Sequence, residues 1–199
     1  MNEVLETEKY IVVKSVLSEE ILELAKNYYT IKFLIQKDFE YGLGNYVSDV
    51  PDIVQPFSVR DYSDAFTESL LIQMLPKVRK IADIETLEPT YSYVRFYETG
   101  QWLAEHTDRP SCQYSITLPM MAYDETPWTI YVDKKPVDLS LGDMVIYKGC
   151  EARHSREPFE GKYQVQAHLH YVDGAHPAFE HYVNDGRPSL GMKKEQLNA

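Results

Sequence analysis

Apolar and polar positions follow two different periods along this chain, and the change falls near residue 89. Ahead of it, "KYIVVKSVL" is rich in β-formers and predicts a first strand. Ser18 then opens "SEEILELAKNYYTIKFL". A hydroxyl able to cap, two glutamates suited to a helix N-terminus, and Ile21, Leu22, Leu24 and Ala25 at helical spacing predict a helix there. "DAFTESLLIQMLPKVRKIAD" predicts a second helix over 64–83, with Leu70, Leu71, Met74, Leu75 and Val78 on its apolar face. Pro76 is placed to kink or split it. Between the helices, 36–63 carries Gly, Pro and Asp without a sustained period. A loop so long in a compact domain is either functional or an excursion built from short elements.

From residue 89 a period of two takes over. "PTYSYVRFYETG", "CQYSITLPMMA", "WTIYV", "GDMVIYKG" and "KYQVQAHLHYVDG" are strand-like and separated by turn signals. Short strands after two helices predict an α+β fold, a β-sandwich or barrel with a helical layer on one side. There is no internal repeat. The length of 199 residues fits one domain: an N-terminal strand and helices over 1–88, a core over 89–174 and a tail over 175–199.

Composition narrows the classes. Apolar residues make up 44% and charged residues 26%, as in soluble globular proteins. A net charge of −11 speaks against a nucleic-acid backbone as partner. No window is apolar for long enough to span a bilayer, and "MNEVLETEKY" lacks the basic start and apolar run of a signal peptide. Cys112 and Cys150 have no CxxC spacing and read as reduced thiols. These features predict a cytoplasmic protein without a membrane partner; nothing in the pattern bears on oligomeric state.

The chemistry concentrates in "EHTDRPSCQYSIT", where His106 and Asp108 stand two apart ahead of a strand. His154 follows a later strand, just past the turn in "GDMVIYKGCEARH". Two histidines and one carboxylate on one face of an iron leave three positions open, as in the non-haem Fe(II) oxygenases. The bland reading is a polar turn for HxD and a surface loop for His154. His168 and His170 alternate with Leu169 on one side of a strand; they are rival ligands or a pair packed inside the sheet.

Taken together, "YVRFYETGQWLAEHTD" and "LSLGDMVIYKGCEARHSREPFEGKYQVQAHLHYVDG" resemble the Fe(II)- and 2-oxoglutarate-dependent dioxygenases, especially the prolyl-4-hydroxylase-like branch. Tyr97, Gly100, Trp102, His106 and Asp108 fall on that branch's places, and the likeness covers residues about 89 to 174. The resemblance implies a double-stranded β-helix, a jelly-roll or cupin-like barrel, with the N-terminal helices packed on one sheet. It implies Fe(II) on His106, Asp108 and His154, with 2-oxoglutarate as cosubstrate and O2 as oxidant. Tyr97 would aim its hydroxyl at the cosubstrate, Trp102 would wall the pocket, and 36–63 would supply a lid. Halogenating relatives replace the carboxylate of HxD with a small residue; Asp108 makes hydroxylation the expected reaction, with succinate and CO2 released.

One position departs from the pattern. The final strand usually carries a Lys or Arg about ten residues after the distal His, to clamp the far carboxylate of 2-oxoglutarate; here Gln164 stands there, with Lys162 nearer the turn. Burying a carboxylate against a neutral amide leaves its charge unbalanced. Arg156 is the first substitute and Arg95, on the same strand face as Tyr97, the second. Gln166 shares the face of Gln164. The expected partner is a small molecule or an amino-acid or peptide substrate. A cupin-like metalloenzyme without 2-oxoglutarate and a non-catalytic binding barrel are the alternatives.

Overall fold

The alternating segments become strands in the computed structural model, which describes residues 2–37, 40–41, 59–124 and 126–192. The strands are β1 (Tyr10–Val13), β2 (Glu40–Tyr41), β3 (Val59–Tyr62), β4 (Leu87–Glu98), β5 (Leu103–His106), β6 (Tyr114–Ala122), β7 (Ile130–Val132), β8 (Lys135–Val137), β9 (Met144–Tyr147), β10 (His154–Arg156) and β11 (Tyr163–Asp173). Seven form one sheet in the order β1-β9-β6-β11-β4-β3-β2, and four form another in the order β5-β10-β7-β8. Among the described residues the two remain separate antiparallel sheets rather than one closed barrel.

Period two sorts each long strand into two faces. On β11, Val165, Ala167, Leu169 and Tyr171 are buried in the main apolar cluster with the helices. Gln164, Gln166, His168 and His170 point the other way, toward the four-stranded sheet. The helices therefore cover the outside of the larger sheet, as the apolar stripe of 64–83 requires. After a short α1 (Glu3–Thr7), helix α2 (Glu19–Tyr29) is capped by the Ser18 hydroxyl, which accepts from the Ile21 N–H at 3.4 Å, and continues as a π-helix over Thr30–Gln36. Helix α3 (Ala65–Ala82) begins at Asp64, whose carboxylate accepts from the Thr67 N–H. Pro76 lies inside α3 and does not split it. The expense of one missing hydrogen bond is local, while Leu70, Leu71, Met74 and Val78 are all buried. The lid expected over 36–63 lies for the most part outside the described residues.

The segment after 174 is no loose tail as far as residue 192. Its side chain fully buried, Arg187 lies 3.4 Å from the Glu68 carboxylate and donates to the Thr90 carbonyl at 3.0 Å. Glu68 also accepts from the Ser92 and Gly191 N–H groups. Asp185, on the same segment, accepts from Arg109 at 2.9 Å and from the Tyr62 hydroxyl. A pair of charges is invisible to a reading based on apolar period, which explains why 175–199 reads as a tail.

Removing one member of a buried ion pair strands the other charge. Arg187→Met should destabilise the protein by about 3–5 kcal/mol in chemical denaturation. A loss below about 1 kcal/mol would mean that the C-terminal segment is not held in this way.

Candidate functional site

Strand β5 ends in His106 and β10 begins with His154. Antiparallel pairing sets the two directly opposite each other, with ring centroids 4.2 Å apart. Asp108 lies two residues past β5, and its N–H donates to the Gly149 carbonyl at 2.8 Å, folding the HxD turn onto the loop after β9. One carboxylate oxygen, Asp108 Oδ1, then stands 3.5 Å from Nε2 of both His106 and His154.

Local hydrogen bonds aim these rings. Nδ1 of His106 lies 2.8 Å from the Ala104 carbonyl, and Nδ1 of His154 lies 3.0 Å from the Ala152 carbonyl. Donation from Nδ1 leaves the Nε2 lone pairs free to bind a metal. Burial alone would raise the Asp108 carboxyl; the imidazoles of His106 and His154 outweigh it and hold the group well below the usual carboxylate range. All three ligand atoms fall within 4.8 Å of one another. Two imidazole nitrogens and a carboxylate on one side of a cavity fit an Fe(II) ion with open positions.

Behind the carboxylate lies a layer that the motif does not announce. The Ser115 hydroxyl donates to Asp108 Oδ2 at 2.7 Å and sits 2.9 Å from His170 Nδ1. Gly149 closes over the same oxygen: a Cβ there would stand 2.6 Å from Ser115 Oγ and nearer still to Asp108 Oδ2. Only glycine admits so close an approach. Asp108, Cys112 and His170 form a second compact trio. Its carboxylate and imidazole are already joined through Ser115, and burial pushes the Cys112 thiol up, away from the thiolate a metal needs. Ser115 was detectable only as one inward position of an alternating strand.

The trio opens into a cavity of about 210 Å³ between the two sheets. Arg156 lines it, 3% exposed, with its guanidinium 4.5 Å from the Trp128 ring and donating to the Trp128 carbonyl. Its Nη2 is buried without a hydrogen-bond partner, and among the described residues no carboxylate pairs with it. Burial lowers Arg156 to about 10, so it remains a cation at neutral pH. Such an N–H has the chemistry to bind a carboxylate. Tyr97 is buried near the end of β4, 4.6 Å from the same Trp128 ring, and does not line this cavity. Arg95, His168 and His170 also line the cavity. Gln164 sits opposite Tyr97 in the sheet, but its amide is taken by Gln166 and it does not line this cavity. Gln166 also accepts from the Thr117 hydroxyl. Lys162 is exposed, 3.9 Å over the Tyr123 ring. Trp102, expected to wall the pocket, is 38% exposed and lies outside the cavity lining. Trp128, which no motif marks, is the residue on which Arg156 rests.

No protein-family model matches the sequence, and no curated protein matches it. Solved structures do. A Pseudomonas putida prolyl-4-hydroxylase superposes with a TM-score of 0.64 at 12% identity, over 86% of this chain and 96% of that one. It has the fold of a prolyl-4-hydroxylase-like 2-oxoglutarate/Fe(II) oxygenase. HygX from Streptomyces hygroscopicus, solved with nickel, 2-oxoglutarate and hygromycin B, matches at a TM-score of 0.61 and 12% identity, over 86% of each chain. SnoN, a non-haem α-ketoglutarate-dependent epimerase of nogalamycin biosynthesis, matches at 0.63 and 13% identity, over 85% of this chain and 79% of its own. At these identities the likeness is one of fold. No helix among the described residues is long and apolar enough to cross a membrane.

Two outcomes follow from this geometry. Ser115→Ala should lower Co(II) affinity by about 10–100-fold, the usual effect of removing a group that orients a ligand; an unchanged visible titration would show that Ser115 does not orient Asp108. Burial also pushes His170 from 6.5 down to about 4. Between those values the unfolded chain binds more protons than the folded one, so stability falls as pH drops through that window. His170 alone should cost metal-free protein on the order of 2 kcal/mol between pH 7 and pH 5, and a flat profile in denaturant melts would contradict a neutral buried His170.

Proposed function

We propose that the protein is an Fe(II)- and 2-oxoglutarate-dependent oxygenase that hydroxylates an unactivated C–H bond of a small molecule or an amino-acid side chain. The observation that carries this reading is one cavity holding both halves of the requirement: an open His106–Asp108–His154 trio and, deeper in, a buried Arg156 with an unused N–H. The fold shared with oxygenases supports it, and the two sheets with the cavity between them suit the halves of a double-stranded β-helix.

Each residue has a task in this reading. His106, Asp108 and His154 hold the metal on one side only. Their Nδ1 contacts and the Ser115 bond fix the ligand directions before metal arrives, so little reorganisation is left for binding. Iron, 2-oxoglutarate and O2 together would supply the oxidant for the C–H bond, one oxygen atom of O2 ending in the new hydroxyl and the other in succinate, with CO2 released. Arg156 takes the far carboxylate with its free Nη2, held in place by the Trp128 ring, against which Tyr97 packs. Arg156 stands two residues beyond His154 on β10, about 6.8 Å along the strand. That spacing suits a five-carbon dicarboxylate lying between metal and clamp. The reaction stays hydroxylation in this proposal because Asp108 occupies the position that halogenating enzymes leave vacant; epimerisation, the activity named for SnoN, uses the same kind of fold.

The test is an anaerobic titration of apoprotein with Fe(II) and then 2-oxoglutarate. Wild type should develop the visible charge-transfer band of the chelate, and Asp108→Ala should not. Arg156→Leu should raise the 2-oxoglutarate concentration needed for half-maximal band by at least about 10-fold, as expected for the loss of a charged hydrogen bond. Should that effect appear in Arg95→Leu instead, the clamp is on β4. Iron bound without any band would replace this proposal with a metalloenzyme that needs no 2-oxoglutarate.

A further inference from the structure

Tyr91 lines the metal cavity from β4, and several neighbours converge on its ring. The His170 imidazole lies 4.6 Å from it, centroid to centroid, and the Arg109 guanidinium carbon stands 4.3 Å from its centroid. Arg109 Nε also donates to the Tyr91 hydroxyl at 3.2 Å. The same hydroxyl is only 3.0 Å from Cys112 Sγ, and both side chains are buried.

The thiol is as near to the metal trio as the ring is. Cys112 ends the short turn Pro110–Cys112 that follows HxD. Its Sγ lies within 4.8 Å of an Asp108 carboxylate oxygen and of a His170 ring nitrogen, and it is in no disulfide. Cys112 does not line the cavity, so Tyr91 is the member of the pair that an oxidant formed there meets. A group hydrogen-bonded to a phenol at such a distance lies about 4 Å from the nearer ring carbon beside the hydroxyl. Sulfur and carbon are then in contact, and a small shift of either side chain brings them to bonding distance.

We propose that Tyr91 and Cys112 become joined by a thioether, between Sγ and the ring carbon beside the hydroxyl, when the metal centre turns over without a substrate. This rests on the oxygenase reading, which supplies the oxidant. The Cys112 S–H bond and one Tyr91 ring C–H bond break, a C–S bond forms, and two protons and two electrons are released. O2 takes them up as 2-oxoglutarate is oxidised: one oxygen atom enters succinate, CO2 is released, and the second oxygen atom leaves as water. The Tyr91 hydroxyl survives, so Arg109 keeps its acceptor. The new bond would tie β4 to the turn behind Asp108, across 21 residues of chain, and so restrain the unfolded chain. It would also anchor the ring against which His170, the partner of Ser115, packs.

The experiment is peptide mass spectrometry on full-length protein loaded anaerobically with Fe(II) and 2-oxoglutarate, exposed to air without substrate, then denatured, reduced and alkylated. The peptides bearing Tyr91 and Cys112 should appear as one species lighter by two hydrogen atoms than their sum, resistant to dithiothreitol. Cys150, whose thiol donates to the Arg109 carbonyl at 3.3 Å, should be alkylated in full. Tyr91→Phe and Cys112→Ser should each abolish the linked species, and Cys150→Ser should not; the charge-transfer band in Tyr91→Phe shows that the metal site is still assembled. Free Cys112 after air exposure of protein that had shown the band would overturn the proposal and leave the oxygenase reading intact. So would a link that dithiothreitol reverses, a link that survives in Tyr91→Phe, or oxygen added to Tyr91 beside a free thiol. A thioether formed with Fe(II) and air whether or not 2-oxoglutarate is present, O2 then being reduced to hydrogen peroxide, would keep the Tyr91–Cys112 bond and remove the cosubstrate assignment. Neither band nor thioether would overturn both readings.

Discussion

The convergence of His106 and His154 on one oxygen of Asp108 is the constraint on which the rest depends. It needs β5 and β10 in register, so that the two histidines face each other. It needs the Asp108 N–H bound to Gly149, so that the turn after β5 folds inward. It needs Ser115 and a glycine at 149 behind the carboxylate, where a larger residue would collide. Three separate stretches of chain, around 106, 115 and 149, are therefore committed to placing a single carboxylate. The same carboxylate repays that arrangement electrostatically: it stays ionised in a buried site because the imidazoles face it.

The large sheet carries its polarity on the unusual side. Apolar residues of β4, β6 and β11 face the helices, and the inward face is lined with Tyr, Thr, Gln, His and Arg. Polar groups inside a protein are tolerated when each finds a partner. Most do so here within the face: Thr117 with Gln166, Gln166 with Gln164, Ser115 with His170. Arg156 Nη2 and His168 Nε2 are left over, and both border the cavity beside the metal trio. Groups left without a protein partner are those a ligand can satisfy, and the proposed clamp uses the first of these atoms.

Much of this was legible beforehand because period and spacing are local properties. Ser18 and Asp64 do cap helices, and the strands from 87 onward fall close to the alternating runs. Pro76 was overestimated, since a helix anchored by a buried apolar face absorbs one missing hydrogen bond. The C-terminal segment was underestimated, since Arg187 and Glu68 are 119 residues apart in sequence and carry no periodic signal. Trp102 looked like a pocket wall from its place in the motif, yet the turn before β5 carries it outward. Trp128 had no motif to mark it, and it is the residue that holds Arg156.

The sequence by itself determined the α+β character, the helical layer on the larger sheet and the three residues that come together as a possible metal trio. A local pattern is enough for these, because HxD before a strand and a histidine after "GDMVIYKG" need only strand direction to be placed. The tertiary structure alone decided that Arg156 and Arg95 both point inward, that they lean toward opposite ends of one cavity, and that Gln164 stands outside it. Those outcomes depend on side chains from β4, β10 and β11 meeting across two sheets. Where a long guanidinium comes to rest is set by what it stacks on, Trp128 for one and Tyr93 for the other, and no spacing along the chain encodes that.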